Sequence, residues 1–462
     1  MTSEQQPQTI QRTEQTAGEH EVQRFRIKGR RTYTRQFDQL YHKRLDDLKP
    51  VVLEQAKRRW GSKVKGTHKV LNVEGPVLTY IVGTIFIDSD TKPSTLDEVE
   101  KTHWIADPTV KGRYRDGSEV VHLEDESGRI RLVGKELEKA TVASGIVAAV
   151  LGTETPAGEF DVAELCFGGI PPHRRPIEVQ SKVADDRYVA FVSGLNATIE
   201  QPVTLEMQLL AEYIVGNLGS AATQTACAQI VQVVVAGGLV DLPVPPLGHT
   251  EDPKANDRRD AARLVAQIDD YLADIAASVP LAVMPGKGDP ADVSLPQQPI
   301  NPHMFAQCRQ FSGFTSTTNP AWLCVDGVDI LSTAGQNIDD LAHYSTNNES
   351  ACQLAAESLH WRHIAPTAPD TLWCYPFTDN DPFILEHAPH VYVVGNQQAA
   401  DCTWAEDPSS GANDAVAPIR VLTVPVFKDS HQIVLLNLRT MGCSVVHIGG
   451  SNQALSPINQ EK

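Results

Sequence analysis

The stretch Val279-Pro-Leu-Ala-Val-Met-Pro-Gly-Lys-Gly-Asp289 decides the class of fold. A short apolar run of strand length ends in a loop of proline, glycine and lysine closed by an aspartate. Immediately upstream, Asp257 to Ala277 carries Leu264, Val265, Ile268, Tyr271, Leu272 and Ile275 at three- and four-residue steps, the stripe of an amphipathic helix. Ahead of it lies Ile230 to Ala236, another apolar strand run. Strand, helix, strand with near-continuous β runs predicts an α/β unit, its largely buried sheet covered by helices. Tyr188 to Val192 and a helix from Leu205 to Leu218 precede this unit. Runs at Val325 to Leu331, His390 to Val394, Ile419 to Val426 and Gln432 to Asn437 continue the sheet, and Asp401 to Ala417 is expected to be a surface loop.

Ligands of such sheets gather where loops leave the carboxyl ends of strands. Four loops qualify: Val192-Ser-Gly-Leu-Asn196, Ala236-Gly-Gly-Leu-Val-Asp241, Met284-Pro-Gly-Lys-Gly-Asp289 and Val394-Gly-Asn-Gln-Gln398. They are rich in glycine and poor in carboxylates and imidazoles.

Working toward the N-terminus, the period shortens. Leu78 to Ile87 is a β-branched run. Glu119 to Val133 reads as a hairpin turning at Asp125 to Gly128, and Gly145 to Leu151 with Phe160 to Phe167 reads as a second. About five strands with no long helix between them suit a small barrel of OB type, although a sandwich also satisfies the pattern. Before the barrel, Thr34 to Trp60 places Phe37, Leu40, Tyr41, Leu45, Leu48, Val52, Ala56 and Trp60 on one helical face, with Pro50 expected to split or kink the helix. Residues 1–20 offer almost nothing to bury and are expected to be disordered. The resulting organisation is a disordered tail (1–20), a basic helical segment (21–64), an OB-type unit (65–180) and an α/β unit (181–462).

Composition narrows the function. The chain has 462 residues and a net charge of -18, which opposes a protein that grips nucleic acid with its whole surface. Residues 21 to 65 run against that trend, with fourteen Lys/Arg to five Asp/Glu. That asymmetry suits either a contact with acidic groups or a solvated basic face. No run approaches the ~20 apolar residues of a membrane helix, and the polar start has no signal-peptide character, so a soluble intracellular chain is expected. The eight cysteines stand singly, without a CxxC pair, so no zinc or iron–sulfur site is suggested and reduced core thiols are expected.

Other chemistry-bearing residues have plainer readings. His363, His390 and Asp370 form a tempting hydrolytic trio, but no nucleophile or metal set accompanies them, so they are expected to hydrogen-bond packed loops around Pro366, Pro369 and Pro376. Asp339 and Asp340 read as acids at a helix start. Trp322, Trp361, Trp373 and Trp404 are expected in core or interface packing rather than under stacked bases. The 66–180 region lacks a clustered basic and aromatic groove.

In order and context, the four loops resemble the metal-binding series of the calcineurin-like metallophosphoesterases: DxH, GDxxD, GNH[DE] and GHxH. Its metal ligands fall here on Gly194, Asn196, Gly238, Lys287, Gly288, Asn396 and Gln398. Only Asp241 and Asp289 keep the acid, and in active relatives both support the site without ligating. Longer strings are more specific. Pro285-Gly-Lys-Gly-Asp-Pro290, Leu295-Pro-Gln-Gln-Pro299, Gly335-Gln-Asn-Ile-Asp339 and Arg362-His-Ile-Ala-Pro-Thr-Ala-Pro-Asp-Thr371 look like the small (B) subunits of polymerase delta. So do Cys374-Tyr-Pro-Phe377, Asp381-Pro-Phe383 and Tyr33-Thr-Arg-Gln-Phe37 with Tyr41 and Arg44. The resemblance, from about residue 30 onward, places the chain in the B-subunit family of polymerases alpha, delta and epsilon. It implies an inactive phosphoesterase fold with an N-terminal OB barrel, and no metal or other cofactor. It further implies a nuclear scaffold that holds the catalytic subunit's C-terminal metal-cluster domain and a third subunit, meeting DNA only through the complex. Two alternatives stand beside it: an active metal-dependent phosphodiesterase or nuclease, and a single-strand-binding OB module.

Overall fold

A computed structural model describes residues 12–13, 24–29, 31–33, 35–61, 64, 66–67, 69–92, 112–176, 186–242, 255–407, 416–449 and 456–458. The first long element is helix α1 (Asp38–Trp60). It runs through Pro50 as one helix, so of the expected split or kink the split does not occur. Pro50 itself is exposed, while Leu45, Leu48, Val52, Ala56 and Trp60 are buried on both sides of it. The packing of that stripe overrides the local cost.

The stripe lies on the outside of a closed barrel built from β1 (Thr79–Asp88), β2 (Val120–Asp125), β3 (Gly128–Val133), β4 (Val147–Glu154) and β5 (Phe160–Cys166), with a short helix α2 (Lys135–Lys139) between β3 and β4. The strand order is β1-β2-β3-β5-β4, closed by the parallel pair β3–β5 and the antiparallel pair β1–β4. Alternation sets the two faces. Tyr80, Val82, Val147, Ala149 and Leu151 meet α1, whereas Ile81, Ile85, Ala148 and Val150 fill the interior.

The α/β part contains β6 (Tyr188–Val192), α3 (Leu205–Val215), α4 (Ala221–Ala228), β7 (Ile230–Ala236), α5 (Ala255–Ala276), β8 (Leu281–Met284) and β9 (Phe314–Ser316). It continues with β10 (Ala321–Val325), β11 (Val328–Thr333), α6 (Gln336–Ala342), α7 (Ala351–His360), β12 (Val391–Gln397), β13 (Asp401–Ala405) and β14 (Ile419–Pro425). Helix α8 (Phe427–Ser430), β15 (Gln432–Asn437), β16 (Cys443–His447) and β17 (Ser456–Pro457) complete it. The strands make two sheets, not one extended sheet: β10-β11-β12-β14-β13 and β17-β16-β15-β6-β7-β8-β9. Their inner faces pack on each other through Val189, Phe191, Leu323, Ile330, Val393, Leu422 and Val434. Helices α3, α4 and α5 cover the outer face of the seven-stranded sheet. Helices α6 and α7 cover that of the five-stranded sheet, and this core runs on into the barrel interior. Near-uniform apolar runs hide which layer covers each face, and so the division into two sheets was not legible in them.

Three smaller expectations change. Val325 to Leu331 is not one strand but the turn of the β10–β11 hairpin, reversing at Asp326 and Gly327, both at positive φ. Asp401 to Ala405 is not loop but β13, paired with β14; Cys402 and Ala405 are its buried positions. Residues 408–415 of that expected loop lie outside the described residues, as does most of the 1–20 tail. Within the tail, however, Arg12 and Thr13 are docked. The Arg12 guanidinium donates to the carbonyls of Ile214, Cys227 and Ile230, and the Thr13 amide to Ala228.

Candidate functional site

The carboxyl ends of β6, β7 and β12 and the loop after β8 converge. Gly194, Gly237 and Gly238 all adopt positive φ, as do Asn196 and Asn396. The fit is close: a Cβ on Gly238 would lie 2.8 Å from Asn196 Oδ1, Asn396 Oδ1 and Gly194 Cα. Four of the positions matched to metal ligands thus sit together, but two of them are glycines and two are carboxamides. Asn396 is engaged by the backbone. Its Nδ2 donates to the carbonyls of Ala236 (3.1 Å) and Ala334 (2.9 Å), and its own amide donates to Ser193 Oγ (2.9 Å).

Asp289 lies beneath them as a staple. Its Oδ2 accepts from the amides of Gly238 (2.9 Å) and Gly286 (2.7 Å), and its Oδ1 from Val240 (2.9 Å). Burial pushes its carboxyl up to about 6, opposed by these same amides. The remaining matched positions face outward: Asp241, Lys287 and Gln398 are exposed, and Gly288 is half-buried against the Val240 carbonyl. The inward side chain after Asn396 is Gln397, which donates to Asp339 Oδ1 at 3.0 Å. Burial raises the Asp339 carboxyl, and the charge of Lys287 counteracts it in part. Among the described residues no group of three or more His, Cys, Asp or Glu is placed to hold a metal ion.

A second constellation, not anticipated as one, lies where α1, the barrel and the proline-rich segment meet. Arg44 and Asp381 are both fully buried and paired, Nε to Oδ2 at 2.7 Å. The rest of the guanidinium donates to the carbonyls of Gly145 (3.4 Å), Pro366 (2.6 Å) and Ala368 (2.7 Å). His363 Nδ1 accepts from the Ala365 amide, so its Nε2 carries the proton and donates to Asp381 Oδ2 at 2.9 Å. Burial, then the charge of Arg44, lowers the His363 imidazole to about 4. Despite its burial, Asp381 is held below the ordinary carboxylate range by His363 and Arg44. The signal available in sequence was a basic residue on the apolar stripe of α1: Arg44 falls among Leu40, Leu45 and Leu48.

The tempting trio is not assembled. His363 is committed to Asp381, Asp370 to Lys92, and His390 lies between the Asp329 amide and the Arg175 carbonyl. Asp340 accepts from Thr371, and Asp339 lies in the first turn of α6. Trp361 is in the core and Trp322 packs against it, while Trp404 covers Arg420 at 4.8 Å and Trp373 is partly exposed. Several residues of the basic segment pair with acids of the chain itself. Arg24 pairs with Glu386, Arg31 with Asp292, Lys49 with Glu126 and Arg59 with Glu164. One cationic aromatic spot exists on the barrel after all, Phe86 between Lys92 and Arg129, but both cations are paired with carboxylates, Asp370 and Glu124.

Comparison with known proteins agrees with this layout in both parts. Residues 36–165 match the family model of the DNA polymerase delta subunit OB-fold domain, and residues 189–403 match that of the B subunit of DNA polymerases alpha and epsilon. The chain is 37% identical to the DNA polymerase delta small subunit of Arabidopsis thaliana, over 91% of this chain and 93% of that protein. It is 33% identical to DNA polymerase delta subunit 2 of Drosophila melanogaster (92% and 95%) and 32% identical to the DNA polymerase delta small subunit of Saccharomyces cerevisiae (91% and 90%). With about nine-tenths of the chain covered by relatives at 32–37% identity, the chain belongs to the DNA polymerase delta small-subunit family.

Proposed function

We propose that this chain is a non-catalytic accessory subunit of the replicative DNA polymerase delta, acting in the nucleus in DNA replication and repair. The observation that carries the reading is similarity over nine-tenths of the chain to delta small subunits, spanning both the barrel and the two-sheet part. The helix–sheet–sheet–helix layering, with ligand-position loops at strand ends, supports descent from a calcineurin-like phosphoesterase. The donor set does not fit that fold's pair of metals. Two divalent ions need several carboxylates and imidazoles, whereas Gly194, Gly238, Asn196 and Asn396 supply two carboxamides, one of them committed to backbone carbonyls.

In this reading the chain bridges the catalytic subunit's C-terminal metal-cluster domain and the third subunit, and meets DNA only through them. A frame with no site chemistry and a rigid barrel junction suits a role in holding other proteins. Co-expression followed by size-exclusion chromatography tests it. Co-elution with the catalytic subunit is expected, and a wild-type chain that never co-elutes overturns the reading. In parallel, the purified chain with Mn²⁺ is expected to cleave neither single-stranded DNA nor a chromogenic phosphodiester. Activity that follows the chain through purification and is lost in Asp241→Asn establishes the phosphodiesterase alternative.

A further inference from the structure

The carboxyl ends of helices α3 and α4 and the first residue of β7 converge on one side chain, Arg12. The final carbonyls of a helix carry partial negative charge and lack intrahelical donors, yet neither α3 nor α4 has a basic residue in its own last turn. In α3 the Glu212 and Tyr213 carbonyls accept from the Gly216 amide, whereas Ile214 accepts from Arg12 Nη2 at 2.5 Å. In α4 the Ala226 carbonyl accepts from the Gln229 amide, and Arg12 Nη1 donates to Cys227 at 3.3 Å. The same Nη1 reaches the Ile230 carbonyl at 3.0 Å, where the β6–β7 pairing shifts register and pairing with β8 has not yet begun. The last carbonyl of α4, Ala228, accepts from the Thr13 amide at 2.9 Å.

The chemistry of this cradle selects its occupant. All four acceptors are backbone carbonyls, held by the helices and strand that carry them and not by side-chain rotamers. A carboxylate or phosphate would meet only oxygens there. Three carbonyls from three separate elements suit a planar fork with donors on two nitrogens, and a lysine ammonium, a single point, does not span them as well. The fourth carbonyl adds a condition on the next residue: it must keep its amide, which excludes proline. Arg12 is half-buried in the cradle and lies 202 to 218 positions from the three carbonyls that its side chain meets. The contact is therefore a recognition event between distant parts of the chain, and no local turn produces it.

We propose that the carbonyls of Ile214, Cys227, Ala228 and Ile230 form a peptide-binding site for an arginine followed by a non-proline residue, which the chain fills with its own Arg12–Thr13. Arg12 is the tethered ligand of this site, and it fastens the N-terminal segment to the helical face of the seven-stranded sheet. An arginine-bearing segment supplied in trans competes with it, against an effective concentration on the order of millimolar for a short flexible tether. A chain without the Arg12 guanidinium leaves the site open to such a segment.

Two measurements on the full chain test this. In hydrogen exchange with single-residue readout, the Thr13 amide of the wild type is expected to exchange at least about tenfold more slowly than in a free synthetic peptide of residues 6–19, and Arg12→Ala is expected to abolish the difference. Exchange at the free-peptide rate in the wild type overturns the proposal, and this arm decides even where the variant does not fold. In fluorescence anisotropy, the labelled 6–19 peptide is expected to bind the Arg12→Ala chain saturably and the wild type at least about tenfold more weakly, because tethered Arg12 competes. Peptides carrying Arg12→Lys or Thr13→Pro are expected to lose at least about tenfold in affinity for the Arg12→Ala chain. Equal binding to the two chains, an Arg12→Ala peptide that binds as well as its parent, or no binding up to about 1 mM would each overturn the assignment.

Discussion

Two buried aspartates show how differently two regions of this molecule treat charge. Asp289, under the strand-end loops, has three amides and no cation, and its carboxyl is raised to about 6. Asp381, at the barrel junction, has Arg44 and His363 and is held below the ordinary range. Both are buried to the same degree, so burial alone does not set the sign; the partners do. The first region is a frame of glycines and carboxamides held from below by backbone amides on one carboxylate. The second keeps full ionic chemistry and uses it to join α1, the barrel turn at Gly145 and the proline-rich segment. Glycines and one stapling carboxylate are enough to maintain the strand-end frame without a cation.

The hardest way to break this contrast is to remove the cation. Arg44→Met leaves Asp381 buried beside a neutral side chain and orphans three carbonyls, at an expected cost of about 3–5 kcal/mol. Urea unfolding of the purified chain measures it. The double variant Arg44→Met with Asp381→Leu is expected to recover a substantial part, since an apolar pair no longer strands a charge. A single-variant cost under about 1 kcal/mol contradicts a structural role for the pair, because that is the scale of exposed ion pairs.

The pH profile sharpens the same comparison, with opposite signs. His363 falls from 6.5 unfolded to about 4 folded, so its stabilisation is complete above 6.5 and is lost as pH drops toward 4. Asp289 rises from 3.8 to about 6, so its stabilisation is complete below 3.8 and is lost as pH climbs through 6. Each is worth about 3 kcal/mol as an order of magnitude. Between pH 4 and 6 these two contributions oppose each other. Asp289→Asn should then unmask a stability that rises with pH, and His363→Gln one that falls. Parallel profiles for the two variants would show that one of these environments is misassigned.

How much of this was legible beforehand differs by region in a physically sensible way. The barrel strands, α1 and α5 declare themselves by alternation and by helical stripes, since each has one dry and one wet face. The strand-end loops were legible as a glycine-rich set, and the structure brings Gly194, Asn196, Gly238 and Asn396 together. The split into two sheets was not legible, because strands dry on both faces look alike whatever covers them. Nor was the junction: Arg44 and Asp381 are 337 positions apart in the chain, and no local period links them or His363. The basic count in 21–65 suggested an external acidic partner as one reading. Asp292, Asp381 and Glu386 meet Arg31, Arg44 and Arg24 from within the chain.

Restoring a carboxylate is the next smaller perturbation. Gly238→Asp places the acid matched to a bridging ligand, but at φ +73° and with a Cβ 2.8 Å from Asn196, Asn396 and Gly194. Strain of this kind costs about 1–3 kcal/mol. Thermal unfolding is expected to fall and to stay unchanged when Mn²⁺ is added, because one acid among carboxamides does not make a two-metal site. Stabilisation by Mn²⁺ would mean that the frame still remembers its chemistry.

The smallest effect tests the outside of the basic segment. Arg31 pairs with Asp292 at the surface, where both side chains are about one-third exposed. Exposed pairs contribute about 0.2–1 kcal/mol and weaken with salt. Arg31→Ala is therefore expected to lower stability by less than about 1 kcal/mol in low salt and by less still in roughly 0.5 M NaCl, whereas the Arg44→Met deficit should barely respond to salt. The two arginines lie thirteen positions apart in one basic stretch, so composition treats them alike. Burial separates them: water and ions screen the first pair and cannot reach the second. Equal salt sensitivity in the two variants would place the Arg44–Asp381 pair in contact with solvent and dissolve the contrast between the closed junction and the surface.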